Sequence, residues 1–253
     1  MRRLLSFHAL LVYLFLYLPI LVVVALSFNE SRRGVHFTGF TLKWYQGLFQ
    51  DPRVLEYFAN TLVVALVSTL VSTVLGTLLA LGLVRYRFPG KGFLRYLLYV
   101  PVVVPDVVMG VSLLLLFAFS RELLGFPRLS LLTVILGHIT FQVAFVTLVV
   151  RSRLLLLDPA LEEAARDLGA RGFQTFLHVT LPLAWNPLAL TLSLDDFVVT
   201  FFTAGPGATT LPLYIYSSVK LGVSPKVHAL SSLIVGLSAF FLALGYALSR
   251  RRL

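Results

Sequence analysis

Three carboxylates, Asp106, Asp195 and Asp196, fall within stretches of this 253-residue chain that are otherwise almost wholly apolar. An aspartate at the centre of a membrane helix costs about 2.5–3.5 kcal/mol on insertion scales, against roughly 0.5 gained per leucine, so such residues are functional candidates by default. The adjacent pair is the costlier feature. Asp106 follows Pro105 and can also reach headgroup water from the end of a span. No Lys or Arg sits well inside an apolar stretch, so the intramembrane field is that of anions and suits a passing cation. Ser193, Asp196, Thr200 and Thr203 recur at helical spacing as one polar stripe, with Asp195 about 100° round the helix from Asp196. One aspartate can then face a path while the other faces a partner, and Asp196, on the stripe, is the one expected to meet the cargo. Phe197, Phe201, Phe202, Tyr214 and Tyr216 follow closely and can hold an ammonium by cation–π attraction or form an interfacial aromatic belt.

Other chemistries find less support. The chain has no cysteine, which removes disulfides and thiolate metal sites. His8, His36, His138, His178 and His228 are scattered without metal-ligand spacing, so no metal site is expected. An intramembrane aspartyl protease needs two carboxylates converging on one water, whereas helix neighbours such as Asp195 and Asp196 diverge, and no catalytic residue is expected. No phosphate-cradling G-x-x-x-x-G-K-[ST] occurs, so any ATP-driven step belongs to another chain and this one binds no cofactor of its own.

The elements that must position these residues are membrane helices. With 58% hydrophobic residues, 13% charged and a mean hydropathy of +0.91, the chain carries roughly half the charged fraction of a soluble domain. A helix crossing a bilayer needs about 20 apolar residues. Six stretches meet or approach this: Phe7 to Phe28, Ala59 to Val84, Leu94 to Phe119, Ser130 to Val150, Thr180 to Phe202, and Val227 to Leu248. The first follows Arg2-Arg3 but is longer than the 7–15 residues of a signal-peptide core, and is read as a retained span. The net charge of +10 does not imply nucleic acid, because Lys and Arg form short clusters between apolar runs rather than one basic face. With both termini inside, 13 of the 21 cations are cytoplasmic, and the remaining eight are spread through longer outer loops. A secondary transporter or channel would share six spans and buried acids, but no convincing internal repeat is present.

Between the fourth and fifth stretches lies a charged insert, about residues 158–178. Asp158 is a suitable N-cap, with Pro159 at the first helical position and Glu162 and Glu163 near the positive end of the helix dipole. Leu161, Ala164, Ala165 and Leu168 fall on one apolar stripe that Gly169 can terminate, and the small alanines permit close approach of another surface. A short docking helix is predicted.

Within this insert Glu163-Ala164-Ala165, then Gly169, then Val179 and Leu181-Pro182 match in order and spacing the cytoplasmic loop of ABC importer permeases, with Val179 in place of isoleucine. Val104-Pro105-Asp106-Val107-Val108-Met109, Leu192 to Val198, and Leu211-Pro212-Leu213-Tyr214-Ile215-Tyr216-Ser217 look narrower still: they resemble the second permease subunit of spermidine/putrescine importers, over nearly the whole chain. The resemblance implies an all-α polytopic protein of the bacterial cytoplasmic (inner) membrane, one transmembrane domain over residues 1–253, with six spans and a cytoplasmic coupling helix between spans 4 and 5. It implies pairing with a homologous permease, two ATP-binding subunits and an extracytoplasmic substrate-binding protein. It places Glu163, Ala164, Ala165, Gly169 and Arg171 at the ATPase contact, and Asp106, Asp195 and Asp196 along the polyamine path with Phe197, Tyr214 and Tyr216. Ferric iron or an anion is the alternative cargo. From Leu181-Pro182 to Asp195-Asp196 the chain is several residues shorter than the resemblance implies, so the fifth span is expected to be short, and Pro182 and Pro187 favour a kinked entry to it.

Overall fold

The computed structural model describes residues 2–31, 36–176, 178, 188–220, 222 and 224–250. Among these the regular structure is helical, joined by turns and loops, with one isolated bridge between Asn29 and Phe40. Helix α1 spans Arg2–Leu26, α2 Lys43–Phe49, α3 Pro52–Arg85, α4 Lys91–Leu97, α5 Val100–Val103, α6 Asp106–Leu124 and α7 Leu131–Leu156. They are followed by α8 Pro159–Asp167, α9 Gly172–Thr175, α10 Leu188–Asp195, α11 Val198–Thr203, α12 Leu211–Lys220 and α13 Pro225–Arg250. Among the described residues five helices are long and apolar enough to cross a membrane: α1 from Leu5, α3, α6, α7, and α13 to Gly245.

Two of the six expected spans take another form. The stretch Leu94 to Phe119 is not one helix, because Pro101 and Pro105 confine its first part to the short α4 and α5. The crossing itself starts at Asp106 and continues to Leu124. In the stretch Thr180 to Phe202, residues 188–203 form α10 and α11, with Asp196 and Phe197 outside either helix. The rest of that stretch, including Pro182 and Pro187 with their expected kink, lies outside the described residues, as do Val179 and Leu181.

The bundle is centred on α3 and α7, which pack along each other more extensively than any other pair. At 1.5 Å per residue the 34 residues of α3 span roughly 51 Å, well beyond a hydrocarbon core of about 30 Å. Ser68, Ser72, Gly76 and Ala80 recur every fourth position on its buried face, while Leu66, Leu70, Val74 and Leu78 on other faces are exposed. This is the membrane pattern: lipid solvates Leu and Val well, and small residues let helix backbones approach. A Cβ on Gly76 would lie 2.7 Å from Val146 Cγ1 of α7, so the close contact at that level requires glycine. Ala80, Val146, Val150 and Leu154 form a core with Ala189 of α10, and Leu113 and Phe117 of α6 form another with Val199 of α11. Helix α1, whose apolar side chains point outward, packs on α13.

Beyond α1 the first loop folds on Asn29. Its side chain donates to the His36 carbonyl at 2.6 Å and accepts from Thr38 N at 2.9 Å, and its carbonyl accepts from Trp44 Nε1 at 2.7 Å. The loop delivers Leu48 of α2 to a core with Val54, Leu211, Ala229 and Leu230. Asp51 caps α3, accepting from Arg53 N at 3.1 Å, and its carboxylate pairs with Lys226 Nζ at 2.8 Å at the start of α13. That ammonium holds the Asp51 carboxyl below the ordinary aspartate pKa.

Candidate functional site: a helix break and an aromatic cleft

The break between α10 and α11 is organised by Asp196. Its carboxylate accepts Val199 N at 3.3 Å, Thr200 N at 3.1 Å and Thr200 Oγ1 at 3.2 Å, satisfying donors that α11 leaves free at its start. His138, projecting from α7 and 1% exposed, places Nε2 3.1 Å from Asp196 Oδ2 and 2.9 Å from Thr200 Oγ1. Its Nδ1 lies 2.7 Å from Ser193 Oγ, which lies 3.2 Å from Ser68 Oγ on α3. A carboxylate only accepts, so the arrangement calls for a proton on Nε2, with Nδ1 paired to the Ser193 hydroxyl. Four helices, α3, α7, α10 and α11, thereby meet in one buried polar chain.

Within this chain the Asp196 carboxylate turns inward to His138. The stripe Ser193, Asp196, Thr200 is real, and it serves the interior of the bundle; Thr203 at its end is also buried. Sequence reasoning missed His138. The available signal was an imidazole midway along an apolar span, which needs a polar partner just as a carboxylate does.

Asp195 is the neighbour that opens outward. It lines a cleft of about 370 Å³ with Phe197, Pro212, Ile215, Tyr216 and residues of α13. The Phe197 and Tyr216 rings stack with centroids 4.6 Å apart, and Phe201 meets Tyr216 edge-on at 6.3 Å. Lys220 Nζ sits 4.6 Å above the Tyr216 ring, so an alkylammonium already occupies one aromatic face here. A carboxylate beside stacked aromatics in a largely apolar cleft is a setting that attracts an organic cation. Tyr214 is not part of it; that ring packs on Tyr57 at 5.1 Å, against the core around Leu48. Asp106 also lies apart from the cleft, exposed at the first residue of α6, where its charge complements the helix dipole.

The charged insert forms the expected short helix. Asp158 accepts from Ala160 N at 3.0 Å, Pro159 opens α8, and Gly169 ends it at φ +88°, with its N–H donating to the Arg166 carbonyl at 2.8 Å. Leu161 is 50% exposed and Leu168 90%, so the described residues leave the apolar stripe uncovered. Glu163 and Ala164 are exposed beside it, and Arg171 is exposed just beyond the turn. Glu162 faces the other way and pairs with Arg85 at the end of α3.

Comparison with known proteins bears on these features together. Residues 72–253 match the family model described as binding-protein-dependent transport system inner membrane component. The chain is 42% identical over 236 residues to the putrescine transport system permease protein PotI of Escherichia coli K12, covering 90% of this chain and 84% of PotI. It is 42% identical over 233 residues to the spermidine/putrescine transport system permease protein PotC of the same strain, covering 90% and 86%. Against PotC of Haemophilus influenzae it is 38% identical over 247 residues, covering 95% and 94%. Among solved structures, a bacterial ABC transporter involved in the import of the acidic polysaccharide alginate superposes with a TM-score of 0.70 at 18% identity, covering 99% of this chain and 96% of that one. At that identity the likeness speaks for the fold alone. The match over residues 72–253, and relatives of this similarity along nearly the full length, show that the chain belongs to the family of binding-protein-dependent transport system inner membrane components, the permeases of ABC importers.

Proposed function

We propose that this chain is one of the two permease subunits of an ATP-driven polyamine importer, that it carries putrescine or spermidine past the Asp195 cleft, and that α8 docks on a separate ATPase. The observation that carries the reading is the agreement between its near-full-length similarity to PotI and PotC and a cleft whose one carboxylate sits among stacked aromatics. The polyamine chain is methylene and its charges are ammonium groups, so apolar walls with a carboxylate and π-faces match both parts of it. Within the cleft Asp195, Phe197 and Tyr216 contact the cargo, and Asp196 holds the geometry from behind. Asp106 takes a place nearer the entrance or exit of the path, and Tyr214 acts through packing.

The exposed stripe of α8, with Glu163, Ala164, Ala165, Gly169 and Arg171 around it, supports an ATPase contact, because an uncovered Leu161 and Leu168 on a charged loop require a protein partner or remain in water. The excess of cations on the side of the α8 loop supports placing that loop and both termini in the cytoplasm. A second permease and a substrate-binding protein complete the assembly. The test is ATP hydrolysis by the whole complex in nanodiscs, with its binding protein loaded with putrescine, spermidine, ferric iron or an anionic sugar in turn. Stimulation by the polyamine-loaded protein is expected. Stimulation by iron or the anion with none by polyamine would overturn the reading.

A further inference from the structure

Helix α3 is tied by polar contacts at both ends and at its middle. Its cap Asp51 meets Lys226 of α13 at 2.8 Å, Ser68 meets Ser193 of α10 at 3.2 Å, and its last residue, Arg85, pairs with Glu162 of α8. We propose that Arg85 is the positioning residue through which the docking helix α8 moves α3, and that α3 carries ATPase-driven movement to the helix break at Asp196. This rests on the reading of α8 as the ATPase contact.

Glu162 and Glu163 are adjacent on α8 and so point about 100° apart. The Glu163 side is exposed, while the Glu162 side chain is 18% exposed and faces Arg85. The helix therefore turns Glu163 outward and Glu162 toward its own subunit. The packing of α8 is on α9, within the same loop, so the Arg85 pair is a side-chain tie from that loop to a membrane helix. From Arg85, α3 continues unbroken to Ser68 and the Ser193–His138–Asp196 chain. An ion pair at this exposure adds little to stability, so a change in coupling can be read apart from a change in folding.

The experiment compares the full complex in proteoliposomes carrying wild-type chain, Arg85→Gln, Glu162→Gln, Arg85→Lys, and the exchange Arg85→Glu with Glu162→Arg. The reading is ATP hydrolysed per labelled spermidine imported, at equal complex content. Each Gln variant is expected to raise the ratio roughly two- to fivefold. The exchange and Arg85→Lys are expected to restore most of it. Wild-type ratios in both Gln variants, or an Arg85→Lys ratio as high as that of Arg85→Gln, would overturn the proposal even if the exchange variant fails to insert. A wild-type complex that transports without polyamine-stimulated hydrolysis would instead fail at the α8 reading, and the proposal with it.

Discussion

Asp195 and Asp196 show how far one residue of helical rotation separates two roles. Asp196 is enclosed by two backbone N–H groups, a threonine hydroxyl and an imidazole, whereas Asp195 opens on the aromatic cleft. Breaking a buried pair by removing one partner typically costs about 3–5 kcal/mol, because the other is left uncompensated. His138→Leu should accordingly lower the melting temperature of the detergent-solubilised chain much more than Asp195→Asn does. Asp195→Asn should reduce labelled polyamine uptake with normal assembly, since the amide keeps size and hydrogen bonding but not the charge a desolvated ammonium needs. Equal melting temperatures for the two variants, or unchanged uptake in Asp195→Asn, would remove this division of labour. The sequence exposed the cost of both carboxylates, and with it their importance. It did not expose their facing, because the turn at Asp196 is fixed by His138, 58 positions earlier on another helix, and no local pattern encodes that contact.

At the scale of elements, α8 was legible because everything that defines it is local: an Asp cap, Pro159 at the first position and Gly169 at positive φ. The interruption in the fifth stretch was less so, since Asp196 fits a polar helical stripe as well as a helix cap, and its contact with His138 lies on another helix. The α3–α7 seam depends on small residues, and Gly76→Val should strain it by about 1–3 kcal/mol, the usual cost of overpacking. A fall in thermal stability of the assembled complex checks this; an unchanged melting curve would mean that the helices can part without cost. At the first turn of α3, the Asp51–Lys226 pair predicts a pH effect. The folded-state pKa of Asp51 is depressed, so its contribution is complete above the ordinary value of 3.8 and is lost as pH falls through the lower folded value. Lys226→Met should therefore shrink the loss of stability on going from neutral pH to below about pH 4, read as melting temperature against pH. A slope identical to wild type would deny the pair any role.

For the whole molecule, the all-α membrane architecture was readable from hydropathy alone, since a bilayer leaves few alternatives to helices for a chain this apolar. The proposed orientation rests on where the cations cluster, and it can be checked in a chain that has no native cysteine. Cysteines placed singly at Gln50 and Gln174, both exposed, should react with an impermeant thiol reagent from opposite sides, Gln50 from outside. Reaction of Gln174 from outside would invert the topology and remove α8 from the reach of an ATPase.

The same whole-molecule scale holds the central claim, that this subunit passes polyamines under ATP control. Its most direct test is accumulation of labelled putrescine and spermidine in proteoliposomes containing the chain with its partner permease, ATPase and binding protein. The expected result is uptake that requires ATP and is displaced by unlabelled polyamine but not by ferric iron or an anionic sugar. Uptake of iron or the anion in place of polyamine, or polyamine uptake that proceeds without ATP, would contradict it.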